Sequence, residues 1–333
     1  MKNLLFISII LLLTSCFEPD EILPKASNET LEIEIDLLKN QASFLDLHNI
    51  RTSSNTEFKD WQLKFQNDQN GWAIYLNTLS KVAVSNTRIT RYDSIKNSYN
   101  TGEIDWQVDI PTNTGVYPAI GPWGDFSFET PESYKDVYLI RWLKDGKEKI
   151  YKLQILDARK GAYHIRYGTL DETFTNSVWI EKQNNKQHSY FSLALDQVLS
   201  NVEPPNNQWN VCFTYLTDSI AKHPKLPFIS TANNSFGIYQ GLIINRANST
   251  VYIDTLRSLE EINYFNSNAL QYRSIDELYN VFSEWDTETE SHVLNETAIM
   301  IVKDDENLFA IKPKWFRRTL LSSFSLQLEI KKL

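Results

Sequence analysis

A pattern that occurs twice constrains this chain more than any other feature of its sequence. WQLKFQNDQNGWAIYLN begins at Trp61 and ends at Asn77, and WNVCFTYL followed by GLIINR begins at Trp209 and carries the matching Asn245. The second copy has about 20 extra residues between its two apolar segments, which indicate a long loop. Because the chain has 333 residues, it is long enough for two domains with separate cores. Two related structural units are the simplest explanation.

Aromatic segments before the two tryptophans extend the repeat. Phe44 in ASFLDL lies 17 residues before the first tryptophan, and Phe191 in SYFSLAL lies 18 residues before the second. This spacing aligns the two phenylalanines. The polar stretch EKQNNKQH separates the copies and is typical of a domain junction. We therefore predict one unit over residues 31–185 and a second over 186–333.

Apolar residues alternate with polar ones, or run together, in segments of five to nine residues that are rich in β-branched and aromatic side chains. Such segments are typical of antiparallel strands that bury one face. Two other segments, ETLEIEIDLLKNQ and SIDELYNVFSEW, are candidates for a helical turn. The sequence predicts a mainly β fold of two similar antiparallel β-rich units with minor helix. The clearest strand segments are VYLIRWL, KIYKLQIL, AYHIRYGTL, AIMIV and FSLQLEI.

The N-terminal sequence is typical of an export signal. MKNLLFISIILLLTSC has a lysine at position 2 and an apolar run of about ten residues from 4 to 13, too short for the roughly 20 that span a bilayer. LTSC is similar to a bacterial lipobox. We predict a signal peptide over residues 1–15, lipidation of Cys16 and a tether over residues 16–30. The alternative is an ordinary signal peptide with a chance cysteine.

Charge and cysteine content exclude other classes of protein. The net charge is −9 and no basic stripe occurs, so nucleic acid is not expected as a partner. Cys212 is the only cysteine besides Cys16, which leaves no disulfide framework. Because Cys212 lies on an apolar strand face, we expect a buried thiol without a catalytic role.

The repeated pattern resembles the HmuY family of Bacteroidetes lipoproteins. That family carries a phenylalanine-rich strand, a Trp-Asp-aliphatic-x-Phe strand and an aliphatic-x-Asn strand. Both halves of this chain carry versions of all three, with Gln62 and Asn210 in place of the usual aspartate. The resemblance implies a lipid-anchored protein of the outer membrane or cell surface. It also implies haem capture and delivery to an outer-membrane receptor of the TonB-dependent type.

Haem capture needs axial ligands, usually imidazole or thioether groups. Besides the initiator methionine, the chain has one methionine and five histidines that are candidate haem ligands: Met300, His48, His164, His188, His223 and His292. His292, seven residues after Trp285, is the preferred ligand, and His223, in the long loop of the second unit, is the second candidate. Tyr264 or Tyr272 is a possible substitute. We expect the remaining histidines to be structural or solvated, and the methionine to lie in the core.

Enzymatic signatures do not occur in the sequence. It has no HExxH, no paired cysteine ligands, no GxSxG and no glycine-rich phosphate loop, so we predict no enzymatic activity. The acidic DTETE lacks the glycine and the closing glutamate of a calcium loop. The alternative to haem capture is a surface interaction module without haem, which presents exposed aromatic side chains to a glycan or a partner protein.

Overall fold

The structure is a computed structural model. It describes the following residues: 30–37, 41–57, 60–77, 79–101, 104–112, 115–144, 146–218, 228–230, 235–275, 277–279, 281–286, 288, 291–305, 307–318 and 324–333. Cys16, the predicted signal peptide, the first residues of the predicted tether and His223 lie outside the described residues.

Antiparallel strands dominate these residues, as predicted. The strands of the first half are β1 (Thr30–Leu37), β2 (Gln41–Asp46), β3 (Arg51–Glu57), β4 (Leu63–Gln66), β5 (Ile74–Leu76), β6 (Ala83–Asn86), β7 (Ile110–Thr112), β8 (Gly115–Tyr117), β9 (Gly124–Asp125), β10 (Glu132–Ser133), β11 (Val137–Lys144), β12 (Lys147–Arg159), β13 (Ala162–Thr169) and β14 (Thr175–Glu181). The strands of the second half are β15 (His188–Ser192), β16 (Gln197–Leu199), β17 (Val211–Asp218), β18 (Phe228–Ser230), β19 (Ser235–Ile244), β20 (Ser249–Asp254), β21 (Glu277–Tyr279), β22 (Ser283–Asp286), β23 (Ser291–Leu294), β24 (Ile299–Asp304), β25 (Asn307–Arg318) and β26 (Phe324–Lys332).

Helix is minor, as predicted. Among the described residues there is one α-helix, α1 (Tyr264–Asn268), and Asn263 caps it by accepting a bond from the backbone N–H of Asn266. Two short 3-10 turns cover Tyr92–Ser94 and Asn206–Gln208.

Four larger sheets organise the strands. Sheet I has the order β16-β15-β4-β5, and sheet II has the order β14-β13-β12-β11-β6. Sheet III has the order β18-β19-β17-β2-β3, with β21 also on β19, and sheet IV has the order β1-β26-β25-β24-β20. The strands of the clearest segments in the sequence, β11, β12, β13, β24 and β26, all form as predicted.

The two segments considered for helical turns are strands instead. The first contains β1, where leucine and isoleucine occupy every second position from Leu31 to Leu37 and Ile35 is buried. The second contains β21 and the start of β22. Apolar residues that recur at every second position all lie on one face of a strand, but they would be spread around a helix. This pattern therefore favours a strand for β1.

Strand pairing crosses the predicted division at residue 186 three times among the described strands. β15 pairs with β4, β2 pairs with β17, and β1 pairs with β26. Sheets I, III and IV therefore contain strands from both predicted units. The division into residues 31–185 and 186–333 stays a prediction.

The register corrects the alignment of Phe44 with Phe191. Phe44 faces Cys212, and Tyr190 faces Lys64, and each facing residue lies three positions after its tryptophan. Phe44 therefore corresponds to Tyr190. A shift of one residue matters because it moves a side chain to the other face of the sheet.

Five hydrophobic clusters occur among the described residues, and the following three join the larger sheets. The first joins sheets I and II, with Phe65 and Leu153 among its members. The second joins sheets III and IV, with Phe213 and Leu328 among its members. A third cluster lies where sheets I and III meet, and it contains both repeated tryptophans: Ala42, Phe44, Trp61, Tyr190, Val202, Trp209, Cys212 and Ile243.

Candidate functional site

The repeated tryptophan and asparagine form a structural bond in both copies. The Asn77 side-chain amide donates to the Trp61 carbonyl at 2.7 Å, and the Asn245 amide donates to the Trp209 carbonyl at 2.8 Å. All four residues are buried. Both asparagines also accept backbone N–H bonds from the turn that follows them, two at the first and one at the second. Because these groups are occupied by their own backbone, the repeated motif maintains the fold and is not a ligand site.

The residues after the tryptophans also act on the backbone. Gln62 accepts a bond from the Ala194 N–H at 3.2 Å, and Asn210 accepts one from the Leu47 N–H at 2.8 Å. Each bond ties one predicted unit to the strand that comes from the other. In both bonds the side-chain amide oxygen is the acceptor.

A buried ion pair links sheet I to sheet III. The Lys64 ammonium lies 2.9 Å from the Glu277 carboxylate, and the two side chains are 7% and 11% exposed. The ammonium also lies 4.9 Å from the centroid of the Tyr75 ring. Asp109 is buried nearby and accepts bonds from the backbone N–H groups of Leu76 and Ala119. Burial raises the pKa of the Asp109 carboxyl to about 7, against the opposing effect of those N–H donors and of Lys64.

A second buried carboxylate, Glu203, organises the neighbouring segment. It accepts the Gln187 N–H at 2.6 Å and the Tyr190 hydroxyl at 2.9 Å, and it lies 3.3 Å from Nδ1 of His188. His188 is therefore a buried structural residue, and not a solvated one at a junction. Nothing in the sequence around Glu203 indicates this role, because its partners approach it through tertiary structure.

The other described histidines and Met300 are also engaged. His48 lies in a turn as predicted, and its Nε2 is 2.9 Å from Asp304. His164 stacks on Trp179 with ring centroids 4.4 Å apart. Met300 is fully buried in the core between sheets III and IV, as predicted. Among the described side chains, these residues do not converge on a common space that could hold a haem.

The side chains of the two preferred haem ligands lie outside the described part of the structure. His292 belongs to β23, where its backbone pairs with that of Trp285. His223 lies outside the described residues. Tyr272 donates its hydroxyl to the Ser267 carbonyl at 2.9 Å, and Tyr264 packs beside it in the cluster on the outer face of sheet IV. The ligand assignment to His292 and His223 stays a prediction.

A cleft in the second half is lined by these residues: Phe213, Thr214, Gly241, Leu242, Val281, Phe282, Ser283 and Leu326. Its enclosed volume is about 20 Å³, which holds about one water molecule. A haem needs a slot of several hundred Å³. This cleft therefore does not fit a porphyrin.

The β9–β10 hairpin of the first half carries exposed aromatic side chains, and we name them the aromatic hairpin: Phe126, Phe128 and Tyr134, which are 44 to 60% exposed. Tyr117, at the end of β8, is also exposed. The turn between β9 and β10 carries Phe126 and Phe128. Gly124 is needed there because a Cβ at this position would lie 2.6 Å from the Glu132 carbonyl oxygen.

A buried pair of tryptophans supports the aromatic hairpin from below. The Trp72 indole donates to the Glu129 carbonyl at 3.2 Å, and the Trp123 indole donates to the Trp72 carbonyl at 2.8 Å. Phe126 packs edge-on against Trp123 with centroids 5.5 Å apart. The buried tryptophans thus bond to the segment that carries the exposed rings, and one of them packs against Phe126. The sequence analysis did not identify these rings as exposed, although Phe126 and Phe128 lie in the polar stretch GDFSFETPESY.

Catalytic and metal chemistry find no support in the described part of the chain. No group of three or more histidine, cysteine, aspartate or glutamate side chains is placed to hold a metal ion there. Cys212 is buried as predicted, and burial raises the pKa of its thiol well above the usual range. No helix among the described residues has the length and apolar character needed to cross a membrane.

Comparison with protein-family models, curated proteins and solved structures finds no match to this chain.

Proposed function

We propose that this protein is a lipid-anchored, non-catalytic binding protein outside the cytoplasm that recognises its partner through the aromatic hairpin. The observation that carries the proposal is the exposure of three aromatic side chains, Phe126, Phe128 and Tyr134, on or directly after the β9–β10 hairpin. Aromatic rings supply large contact areas with little loss of conformational entropy, and they are enriched where proteins bind ligands. The partner is a glycan or a protein, and an outer-membrane receptor of the TonB-dependent type is one candidate.

Cross-linking in intact cells tests this proposal at single positions. A photoreactive phenylalanine analogue placed at Phe128 should give a covalent adduct, because this ring is 60% exposed on the turn of the hairpin. The same analogue at Leu143, an exposed apolar residue at the end of β11, is the matched control. Adducts at neither position, or equally at both, would contradict recognition by the hairpin.

Glycan binding has its own measurement. The soluble chain from residue 17 is titrated with neutral oligosaccharides, and Phe126→Ser and Phe128→Ser should each weaken any binding at least several-fold. Leu143→Ser should leave it unchanged. Binding that survives both hairpin substitutions would place the glycan elsewhere.

Haem capture is a second candidate function, and the resemblance to the HmuY family is what favours it. It depends on His292 and His223, since the other histidines have the structural contacts described above. Titration of the soluble chain with haem should give a Soret shift that saturates at one or two equivalents. The His292→Ala variant should lose or alter that spectrum while its far-ultraviolet circular dichroism stays unchanged. A wild-type chain without a Soret shift would eliminate haem and leave the aromatic hairpin.

Anchoring is tested separately. Cys16→Ala should move the protein from the membrane fraction to the soluble fraction, because an acylated cysteine is the predicted attachment. Retention of this variant in the membrane fraction would contradict the lipid anchor.

A further inference from the structure

Two apolar side chains stand out on the second half of the chain. Leu256 is 93% exposed and Phe265 is 71% exposed, the two highest values among the large hydrophobic side chains that the structure describes. Exposed hydrophobic residues that lie singly need no explanation, but neighbouring ones at such exposure mark an interaction surface.

Both side chains project from one structured region. Asp254 accepts the backbone N–H of Leu256 at 2.9 Å and the Nε of Arg257 at 2.6 Å. The Arg257 guanidinium also donates to the Asn266 carbonyl at 3.3 Å, in the helix that carries Phe265. The turn that carries Leu256 and the helix that carries Phe265 are therefore bonded to each other.

The same loop buries its other apolar residues. Leu259 and Ile262 pack into the cluster on the outer face of sheet IV, together with Ile301. The loop thus had an apolar surface available for Leu256 and Phe265, and it places them in solvent instead. Exposure of Leu256 and Phe265 becomes favourable when these side chains are buried in another apolar phase.

The strand that follows the predicted anchor pairs with a strand that is bonded to this loop. The Lys331 ammonium donates to the carbonyls of Leu259 and Ile262 at 3.1 and 2.7 Å, and Lys331 pairs with Thr30 in sheet IV. Thr30 is 14 residues after Cys16 (30 − 16). A fully extended chain of that length spans at most about 50 Å. An acylated Cys16 therefore keeps Thr30 within that distance of the bilayer, and the loop is bonded to the strand that pairs with Thr30.

We propose that Leu256 and Phe265 form a second membrane contact, inserting at the boundary between headgroups and acyl chains in the leaflet that holds the lipid anchor. This inference rests on the lipidation of Cys16 in the proposed function. Charged groups along the loop are nearly balanced, with three carboxylates against two guanidinium groups: Asp254, Glu260, Glu261, Arg257 and Arg273. Docking therefore depends on apolar insertion and should depend little on anionic lipid or salt.

The experiment uses a tether that does not depend on acylation. The chain from residue 17 is attached through an N-terminal hexahistidine tag to phosphatidylcholine vesicles that contain a nickel-chelating lipid. Leu256→Cys and Phe265→Cys carry an environment-sensitive fluorophore, and Phe128→Cys is the matched control on the aromatic hairpin. Cys212 does not compete for the label because it is fully buried.

Fluorophores at 256 and 265 should shift to the blue and gain intensity several-fold when the protein is tethered, and brominated lipid should quench them. The fluorophore at 128 should not change. No shift at 256 and 265, or an equal shift at all three positions, would overturn the proposal. A shift that appears only at high protein density would also overturn it, because it would report contact between copies of the chain. A negative result in this experiment does not contradict the lipid anchor, because the anchor is tested separately by fractionation of the Cys16→Ala variant.

Discussion

Removal of the buried charge at Lys64 should destabilise the protein strongly. Lys64→Met keeps the apolar stem but leaves the Glu277 carboxylate, only 11% exposed, without the ammonium that lies 2.9 Å from it. Removal of one partner of a buried ion pair costs about 3–5 kcal/mol, because the remaining charge stays in a medium of low dielectric constant. Loss of the ammonium also removes one of the groups that lower the pKa of Asp109. We therefore expect a cost at the upper end of this range.

The double variant distinguishes charge from packing. In Lys64→Met with Glu277→Leu, apolar side chains replace both charges, and such replacements are often neutral or stabilising. The double variant should thus be more stable than Lys64→Met. Lys160→Met is the matched control, since Lys160 and its partner Glu129 are both largely exposed at 3.8 Å. An exposed pair contributes about 1 kcal/mol or less.

Urea unfolding at pH 7, followed by tryptophan fluorescence, gives the free energy of unfolding for each variant. A cost below about 1 kcal/mol for Lys64→Met would refute the argument, because it would mean that water reaches the Glu277 carboxylate. A double variant less stable than Lys64→Met would refute it as well, because the loss would then reflect packing.

Three further predictions concern buried groups. Asn245→Ala removes three hydrogen bonds of the asparagine side chain and should lower the free energy of unfolding by about 3 kcal/mol, measured by urea unfolding; a loss below about 1 kcal/mol would contradict a structural role. Because the pKa of Asp109 is raised to about 7, its protonated form favours the folded state, so its contribution is present near pH 4 and is lost as the pH rises through 7. In the wild type, the free energy of unfolding measured in urea should fall by up to about 1.4 kcal/mol per pH unit between pH 4.5 and 7. Asp109→Asn should reduce this fall. An unchanged pH profile in the variant would show that Asp109 stays ionised. The Cys212 thiol should react with a disulfide reagent only after unfolding, and rapid reaction of the folded chain would contradict its burial.

Local pattern predicted the strand content well and the details of pairing less well. Alternation of apolar residues identified β11, β13 and β26, and the same rule, applied to LEIEIDL, would have identified β1. The alignment of Phe44 with Phe191 was wrong by one residue, because similar spacing in the sequence, 17 and 18 residues before the tryptophans, does not reveal how each strand is registered on its partner.

Polar groups of the candidate sites were harder to predict. The sequence marked Asn77 and Asn245 through their repetition, although hydrogen bonds to their own backbone could be seen only in the structure. Glu203 and Asp109 carry no sequence signal, since burial and distant partners create their environment. Exposure of an aromatic residue such as Phe128 likewise depends on what the rest of the chain covers.

The sequence by itself determined that this chain is mainly β and which residues of many strands are apolar, because strand periodicity is a local property of side chains. Only the tertiary structure decided which strands became neighbours. β2 lies beside β17, and β15 lies beside β4, although each pair is far apart along the chain. Backbone N–H and C=O groups are the same at every position, so an open strand edge accepts any partner whose apolar face points to the same core. Burial of the tryptophans where sheets I and III meet depends on that choice of partners, which local pattern does not contain.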